Sequence, residues 1–195
     1  LGFTLTEIAE VRKIFGVVMS MLGVFLGGAA IARFGLLGPL VIGALAGPVS
    51  NLAFAWLAVQ GPDVWALTVA IGIDNVSGGF SGTCLIAYMS SLTSAGFTAT
   101  QYALFTSLYA LPGKFIAAAS GRIVTGAALS AEAGGWAAPL KSWFAQLPTD
   151  ALVVGAKTIS VSAAALGAGY VVFFGYSALI GVVAIVLTAM VAVRR

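Results

Sequence analysis

The sequence predicts an all-α, polytopic membrane protein, and three observations carry that prediction. Hydrophobic residues fill 61% of the 195 positions and charged residues 8%, against roughly 25% charged in soluble domains. Mean hydropathy is +1.09. The apolar runs far exceed the roughly 9–11 residues of a barrel strand and lack sustained alternation, so helices remain as the way to satisfy a backbone in lipid. Five spans are expected, forming one membrane domain over residues 1–195 with an extramembrane excursion at 123–168 lying on the interface.

Thr4-Leu5-Thr6-Glu7 fits a capping box and opens the first helix. That helix carries Glu10, Arg12 and Lys13 at an interface and is expected to enter the membrane near Ile14 and run to about Ala32. Gly16, Ser20, Gly23 and Gly27 give it a small-residue face of the kind that admits a second helix closely in lipid. A short turn at Arg33-Phe34-Gly35 leads to a second span, about 36–59, where Pro48 predicts a kink because it lacks a donor and crowds the preceding turn. Gly61-Pro62-Asp63 breaks the chain, with Asp63 placed to cap the third span, Val64 to Leu92. A second capping box at Thr98 to Gln101 opens a fourth span, which contains Pro112 and Lys114 and is expected to end near Gly121. Mixed charge and aromatics then mark the excursion, including Trp136 and Trp143, with an amphipathic helix expected over 151–166 and Lys157 on its wet side. The last span is expected from about Gly169 to Val193, before Arg194-Arg195. An odd number of spans puts the two ends on opposite sides.

The third span is apolar enough to cross a bilayer, yet its centre reads Asp74-Asn75-Val76-Ser77-Gly78-Gly79-Phe80-Ser81-Gly82-Thr83-Cys84. On a helix, Asp74, Ser77, Ser81, Cys84, Tyr88 and Ser91 recur at steps of three and four and share one face. Asp74 lies about 15 Å from the start of the span, near mid-membrane. A carboxylate there costs about 2.5–3.5 kcal/mol even on lenient insertion scales, so it must face protein or water. Two readings stand: a proton-coupling carboxylate, or a group locked to a neighbour that holds helices together. Lys114, about 10 Å from the same membrane face by helical rise, is the expected partner in an ion pair or a shared cavity, or else a snorkelling cation. Asn75, Ser77, Ser81, Thr83 and Tyr88 are candidates for hydrogen bonds to a polar solute, or for bonds to the backbone and neighbouring helices. Gly78, Gly79 and Gly82 serve either to weaken the helix near the site or to pack it tightly.

A single Cys and no His exclude an intramolecular disulfide and a Cys/His metal site. The net charge of +3 is too small and scattered to point to nucleic acid. No catalytic constellation or phosphate loop is present, so the reading is not an enzyme and calls for no cofactor. The absence of an initiating Met and of a signal-peptide pattern suggests a piece of a longer chain.

Three stretches resemble the major facilitator superfamily and, within it, the AmpG-type muropeptide permeases. Gly28-x-x-x-Ala32-Arg33-Phe34-Gly35 resembles the superfamily's loop motif, with Ala32 in place of the acidic residue and without the trailing arginines. Ile71 to Gly79 is similar to the family's acidic-Asn-aromatic-Ser-Gly-Gly segment. Phe97-Thr98-Ala99-Thr100-Gln101-Tyr102-Ala103-Leu104 is the most specific match. The likeness covers about residues 1–122 and more loosely 169–193.

The resemblance implies a C-terminal bundle whose N-terminal half is missing here, embedded in lipid and carrying a sugar-peptide solute. The implied activity is proton-driven import of anhydromuropeptides across the bacterial inner membrane, in peptidoglycan recycling. It would place Gly28, Arg33 and Gly35 in a conformational loop. It also adds Gln101 and Tyr102 as pathway candidates, although Gln101 already serves the helix cap. Arg33 and Arg194-Arg195 would be cytoplasmic and the excursion periplasmic. Alternatives are a carrier of another large polar solute, such as a coenzyme-A thioester, and a non-transporting membrane scaffold or sensor.

Overall fold

In a computed structural model of the protein, the described residues are 3, 5–60, 63–93, 98–144 and 152–193. They form helices and no strands. Thr4, Gly61, Pro62, Phe97 and Arg194-Arg195 lie outside the described residues.

The first helical stretch comprises α1 (Leu5–Glu10), a π-helical turn (Val11–Gly16) and α2 (Val17–Phe34). The π turn was not foreseen, since its wider i→i+5 bonding has no residue signature. α2 ends at Gly35, whose φ of 75° suits a residue without a Cβ. α3 (Leu37–Gln60) contains Pro48 and remains helical. Pro48 cannot donate to the carbonyl of Ala44, while Ser50 Oγ and Asn51 Nδ2 both donate to the carbonyl of Gly47. α4 (Val64–Leu92) has the predicted bounds. Asp63 caps it as expected, accepting from the Trp65 N–H at 2.8 Å.

Among the described residues, four helical stretches are long and apolar enough to span a membrane: Thr6–Phe34, Leu37–Gln60, Val64–Leu92 and Ala163–Val193. The protein is therefore an all-α, multi-pass membrane protein. The fifth expected span falls within α5 (Thr98–Glu132), which is not one of the four. Its 35 residues include Gln101, Thr106, Ser107, Lys114 and Arg122, which dilute the apolar content.

The helices pack in a spatial order different from the chain order. α2 lies against α4, α4 against α3, α3 against α7 (Ala163–Val193), and α7 against α5. The glycine face predicted in the first helix is the α2–α4 seam. A Cβ on Gly23 would collide with the Val76 carbonyl, and one on Gly27 would lie 3.0 Å from the carbonyl of Phe80. Gly181 of α7 similarly meets the ring of Pro48. Leu57, Ala66, Leu67, Ala70 and Ile71 form a buried core between α3 and α4, with Phe3, Ile8, Val11 and Phe54 packed on it.

The excursion differs from expectation at both ends. α5 continues past Gly121 to Glu132, and α7 begins at Ala163 instead of near Gly169. In place of one amphipathic helix over 151–166 there is a short α6 (Val153–Thr158), a break at Ser160 (φ 56°) and the start of α7. Ser162 makes the difference: its Oγ accepts from the Ala165 N–H at 3.3 Å, the bond of an N-cap. A 3-10 turn, Ala138–Phe144, brings Phe144 down onto Gly167, where a Cβ would meet its ring at 2.5 Å. Ala131, Ala137, Ala165 and Ala168 are buried together beneath this cap.

Candidate functional site

The polar centre of α4 is set by close backbone contact. Gly79 lies against the Ser20 carbonyl and 3.0 Å from the Val24 nitrogen, measured from where a Cβ would stand. Gly16 similarly faces the Asn75 amide group at 3.4 Å. α4 is thus fixed in rotation against the π turn and α2, and the helix runs unbroken through Gly78, Gly79 and Gly82. Of these glycines, Gly79 is the packing residue. Gly78 and Gly82 have open space where a side chain would stand.

That rotation puts Asp74 and Asn75 on the wall of a cavity of about 260 Å³. Arg12, from the π turn, lines the same cavity, with Phe3, Ile8, Phe54, Leu57, Leu67, Ile71 and Phe174 around it. Phe54 of α3 and Phe174 of α7 are stacked, with ring centroids 5.5 Å apart and planes 18° from parallel. Asn75 Nδ2 donates to the Ile71 carbonyl at 2.8 Å, leaving its amide oxygen as an acceptor. Among the described residues, the ion pair found is Lys141–Glu132, and Asp74 has no cation within ion-pair distance. A carboxylate and a guanidinium therefore share one cavity without closing on each other. Arg12 and Asn75 also line a second cleft of about 600 Å³ with Val17, Ser20, Met21, Val24 and Phe25.

The remaining stripe residues separate into distinct environments. Ser81 lines another cavity, about 490 Å³, with Asn51, Tyr109, Ser177 and Thr188 from the neighbouring helices. Ser81 Oγ donates to the Gly78 carbonyl at 3.3 Å, Thr83 Oγ1 to the Gly79 carbonyl at 2.9 Å and Ser91 Oγ to the Tyr88 carbonyl at 2.7 Å. Their donor hydrogens serve the helix itself. Ser77 and Tyr88 are half-buried, and Cys84 is fully buried.

Lys114 is exposed on α5, which barely touches α4, and the structure does not bring it to Asp74. Helical rise gave the two a similar depth, but depth says nothing of lateral position. Gln101 and Tyr102 are half-buried at the start of α5. Gly28 and Arg33 are exposed, the Arg33 guanidinium lying 5.6 Å from the centre of the Phe34 ring. The sequence pointed to Arg12 as an interface charge and did not single out Phe54 or Phe174. The available signal for Arg12 was its sign, opposite to that of Asp74, but nothing local ties two residues so far apart in the chain.

An all-α, multi-pass membrane protein with ionisable groups on a cavity between its helices is the class that this fold and site define. Comparison with curated sequences refines it. The chain is 35% identical over 124 residues to "Putative transporter AmpG 4" of Rickettsia conorii, an alignment covering 64% of this chain and 30% of that protein. It is 36% identical over 121 residues to "Putative transporter AmpG 3" of Rickettsia prowazekii, covering 62% of this chain and 29% of the relative. With "Putative transporter AmpG 1" of Rickettsia bellii the identity is 31% over 124 residues, covering 64% of this chain and 30% of the relative. The AmpG-type resemblance read from the motifs is therefore a true sequence likeness over about three fifths of the chain. The chain spans about 30% of the length of these relatives. No family model matches, and no solved structure matches.

Proposed function

We propose that the chain is the C-terminal part of a secondary transporter that imports anhydromuropeptides across the bacterial inner membrane, driven by protons. The observation that carries this reading is Asp74: a carboxylate on a helix long and apolar enough to span a membrane, on the wall of a cavity between helices, with no cation in contact among the described residues. Ionisable groups are expensive in a bilayer, and in spanning helices they mark ion and substrate paths. Likeness to proteins named as AmpG transporters supports the same class.

In this reading Asp74 takes up and releases the coupled proton, and Asn75, Ser77, Ser81, Thr83 and Tyr88 line the solute path. The path closes against a second bundle contributed by the longer carrier, since such sites lie between two repeats. α5 serves as the fifth span, and the described residues between α5 and α7, 133–144 and 152–162, cap that pair outside the bilayer. Lys114 acts away from the Asp74 cavity, where α5 faces the rest of the carrier.

The test is uptake of labelled anhydromuropeptide by proteoliposomes containing the full-length carrier under an imposed proton gradient. Asp74→Asn is expected to lower proton-driven uptake on the order of tenfold or more, about 1.4 kcal/mol on the barrier. Unchanged uptake would remove Asp74 from the mechanism.

A further inference from the structure

Away from Asp74, α5, α6 and α7 line a groove of about 440 Å³, within the roughly 300–1,000 Å³ of small-molecule sites. Its polar lining is made of hydroxyls: Ser120 and Thr125 from α5, Thr158 from α6 and Tyr170 from α7. Val124, Ile159, Leu166, Phe173 and Phe174 supply the apolar wall, and among the described residues no charged side chain lines it. The hydroxyls divide by what they already do. Ser120 Oγ donates to the Ala117 carbonyl at 2.7 Å and Thr158 Oγ1 to the Val154 carbonyl at 3.0 Å. Thr125 and Tyr170 have no hydrogen-bond partner among the described residues, so their O–H groups are free to donate. The complement is a molecule with uncharged acceptors and an apolar body.

Depth names the occupant. α7 has 31 residues and is about 46 Å long by helical rise, against a hydrocarbon core of about 30 Å. Centred in a bilayer, it meets the hydrocarbon boundary about five residues from its start, between Leu166 and Tyr170 on the groove wall. Phe173 and Phe174 lie inside that boundary. Gly169 admits the Val124 carbonyl of α5 at the same level, which puts Thr125 at the boundary and Ser120 below it. The ester groups of a glycerolipid occupy this level, uncharged acceptors with acyl chains directly beneath them. α6 roofs the groove on a strained frame: Leu152 before it (φ 64°) and Ser160 after it (φ 56°) hold left-handed backbone without being glycine. Such strain persists where surrounding contacts overdetermine it, and it clusters at ligand clamps. Here Leu152 and Ala156 are buried with Leu166, and Ile159 and Tyr170 pack beside them.

We propose that this groove binds one phospholipid of the surrounding bilayer by its glycerol-ester region, with Thr125 and Tyr170 donating to the ester carbonyls and an acyl chain lying along Phe173 and Phe174. Because no charge lines the groove, recognition stops at the esters and ignores the headgroup. A lipid held there fixes the depth at which α7 and its cap sit in the membrane. The lipid site stands whatever solute the protein carries.

Native mass spectrometry of the full-length protein, titrated in detergent with dioleoyl phosphatidylglycerol, counts bound lipids and reads their affinity. Gly121 lines the groove, and a Cβ there meets nothing within 4 Å, so Gly121→Leu fills the space without a clash and is expected to remove one saturable lipid. The ether-linked analogue keeps the chains and headgroup but lacks both carbonyls. It should bind at this site about tenfold more weakly, the loss of two neutral hydrogen bonds. Thr125→Val with Tyr170→Phe should cost the ester lipid the same factor and the ether lipid nothing, and dioleoyl phosphatidylethanolamine should bind as the glycerol lipid does. Thermal unfolding verifies that each variant is folded, and Gly121→Leu carries the test should the double variant fail to fold. An unchanged lipid count in Gly121→Leu, equal affinity for ester and ether lipids, or a preference between the two headgroups that disappears in Gly121→Leu would each overturn the site.

Discussion

Gly79 and Gly82 are three residues apart in one helix and have opposite surroundings. A Cβ on Gly79 would run into the Ser20 carbonyl, which cannot swing away because it belongs to a helix backbone. Gly79→Ala is therefore expected to push α2 from α4 and cost about 1–3 kcal/mol, as overpacking does. A Cβ on Gly82 meets nothing within 4 Å, so Gly82→Ala is expected to be neutral or stabilising by up to about 1 kcal/mol. Unfolding midpoints of the two variants in the same detergent decide the comparison. An unchanged midpoint for Gly79→Ala would mean that the α2–α4 seam is not packed at Gly79. Lys114 belongs to the same scale: Lys114→Gln should depress uptake much less than Asp74→Asn, because the lysine lies outside the cavity. An equal loss from both would tie them into one unit.

At the scale of elements, the junction between α5 and α7 turns on one carboxylate. Glu132 accepts from Ser162 Oγ at 2.5 Å, from the Ser162 N–H at 3.2 Å and from Lys141 Nζ at 3.2 Å. The Ser162 hydroxyl chiefly, then its amide and Lys141, hold the Glu132 carboxyl below the usual carboxylate range. A carboxyl lowered in the folded state stabilises fully above its unfolded value and loses that contribution as pH falls through its folded one. The wild type should therefore exceed Glu132→Gln in thermal stability at neutral pH, and the two should converge below about pH 4, the reference carboxylate range. Equal stability at every pH would show that the clasp contributes nothing. Ser162→Ala removes the cap of α7 as well, and the cap alone is expected to cost about 0.5–2 kcal/mol. The short α6 and the early start of α7 follow from this cap, which a pattern of apolar residues did not reveal.

For the whole molecule, the order α2, α4, α3, α7, α5 sets α2 apart from α3 and α4 apart from α5, and joins α3 to α7 across more than a hundred residues. A Phe54→Cys, Phe174→Cys pair in a Cys84→Ala background is expected to cross-link within one chain through a short bifunctional thiol reagent, read as a mobility shift on a denaturing gel. No shift would contradict the α3–α7 packing that closes the Asp74 cavity. The membrane class, the bounds of α4, its Asp63 cap and the glycine seam on the first helix were all legible in the sequence. Each depends on local composition, or on a periodicity that survives whatever the helix packs against. The separation of Lys114 from Asp74 was not legible, because equal depth in a bilayer leaves two helices free to stand apart.

By itself the sequence determined that the chain is helical, lies in lipid and carries an acid within its third span, since burial costs and backbone hydrogen bonding act on each segment alone. Tertiary structure decided which groups share the cavity with that acid. Arg12 arrives through a π turn, and Phe54 and Phe174 arrive from helices far apart in the chain. Their meeting depends on close helix contact at glycines, a rotational choice made between segments and encoded in none of them singly.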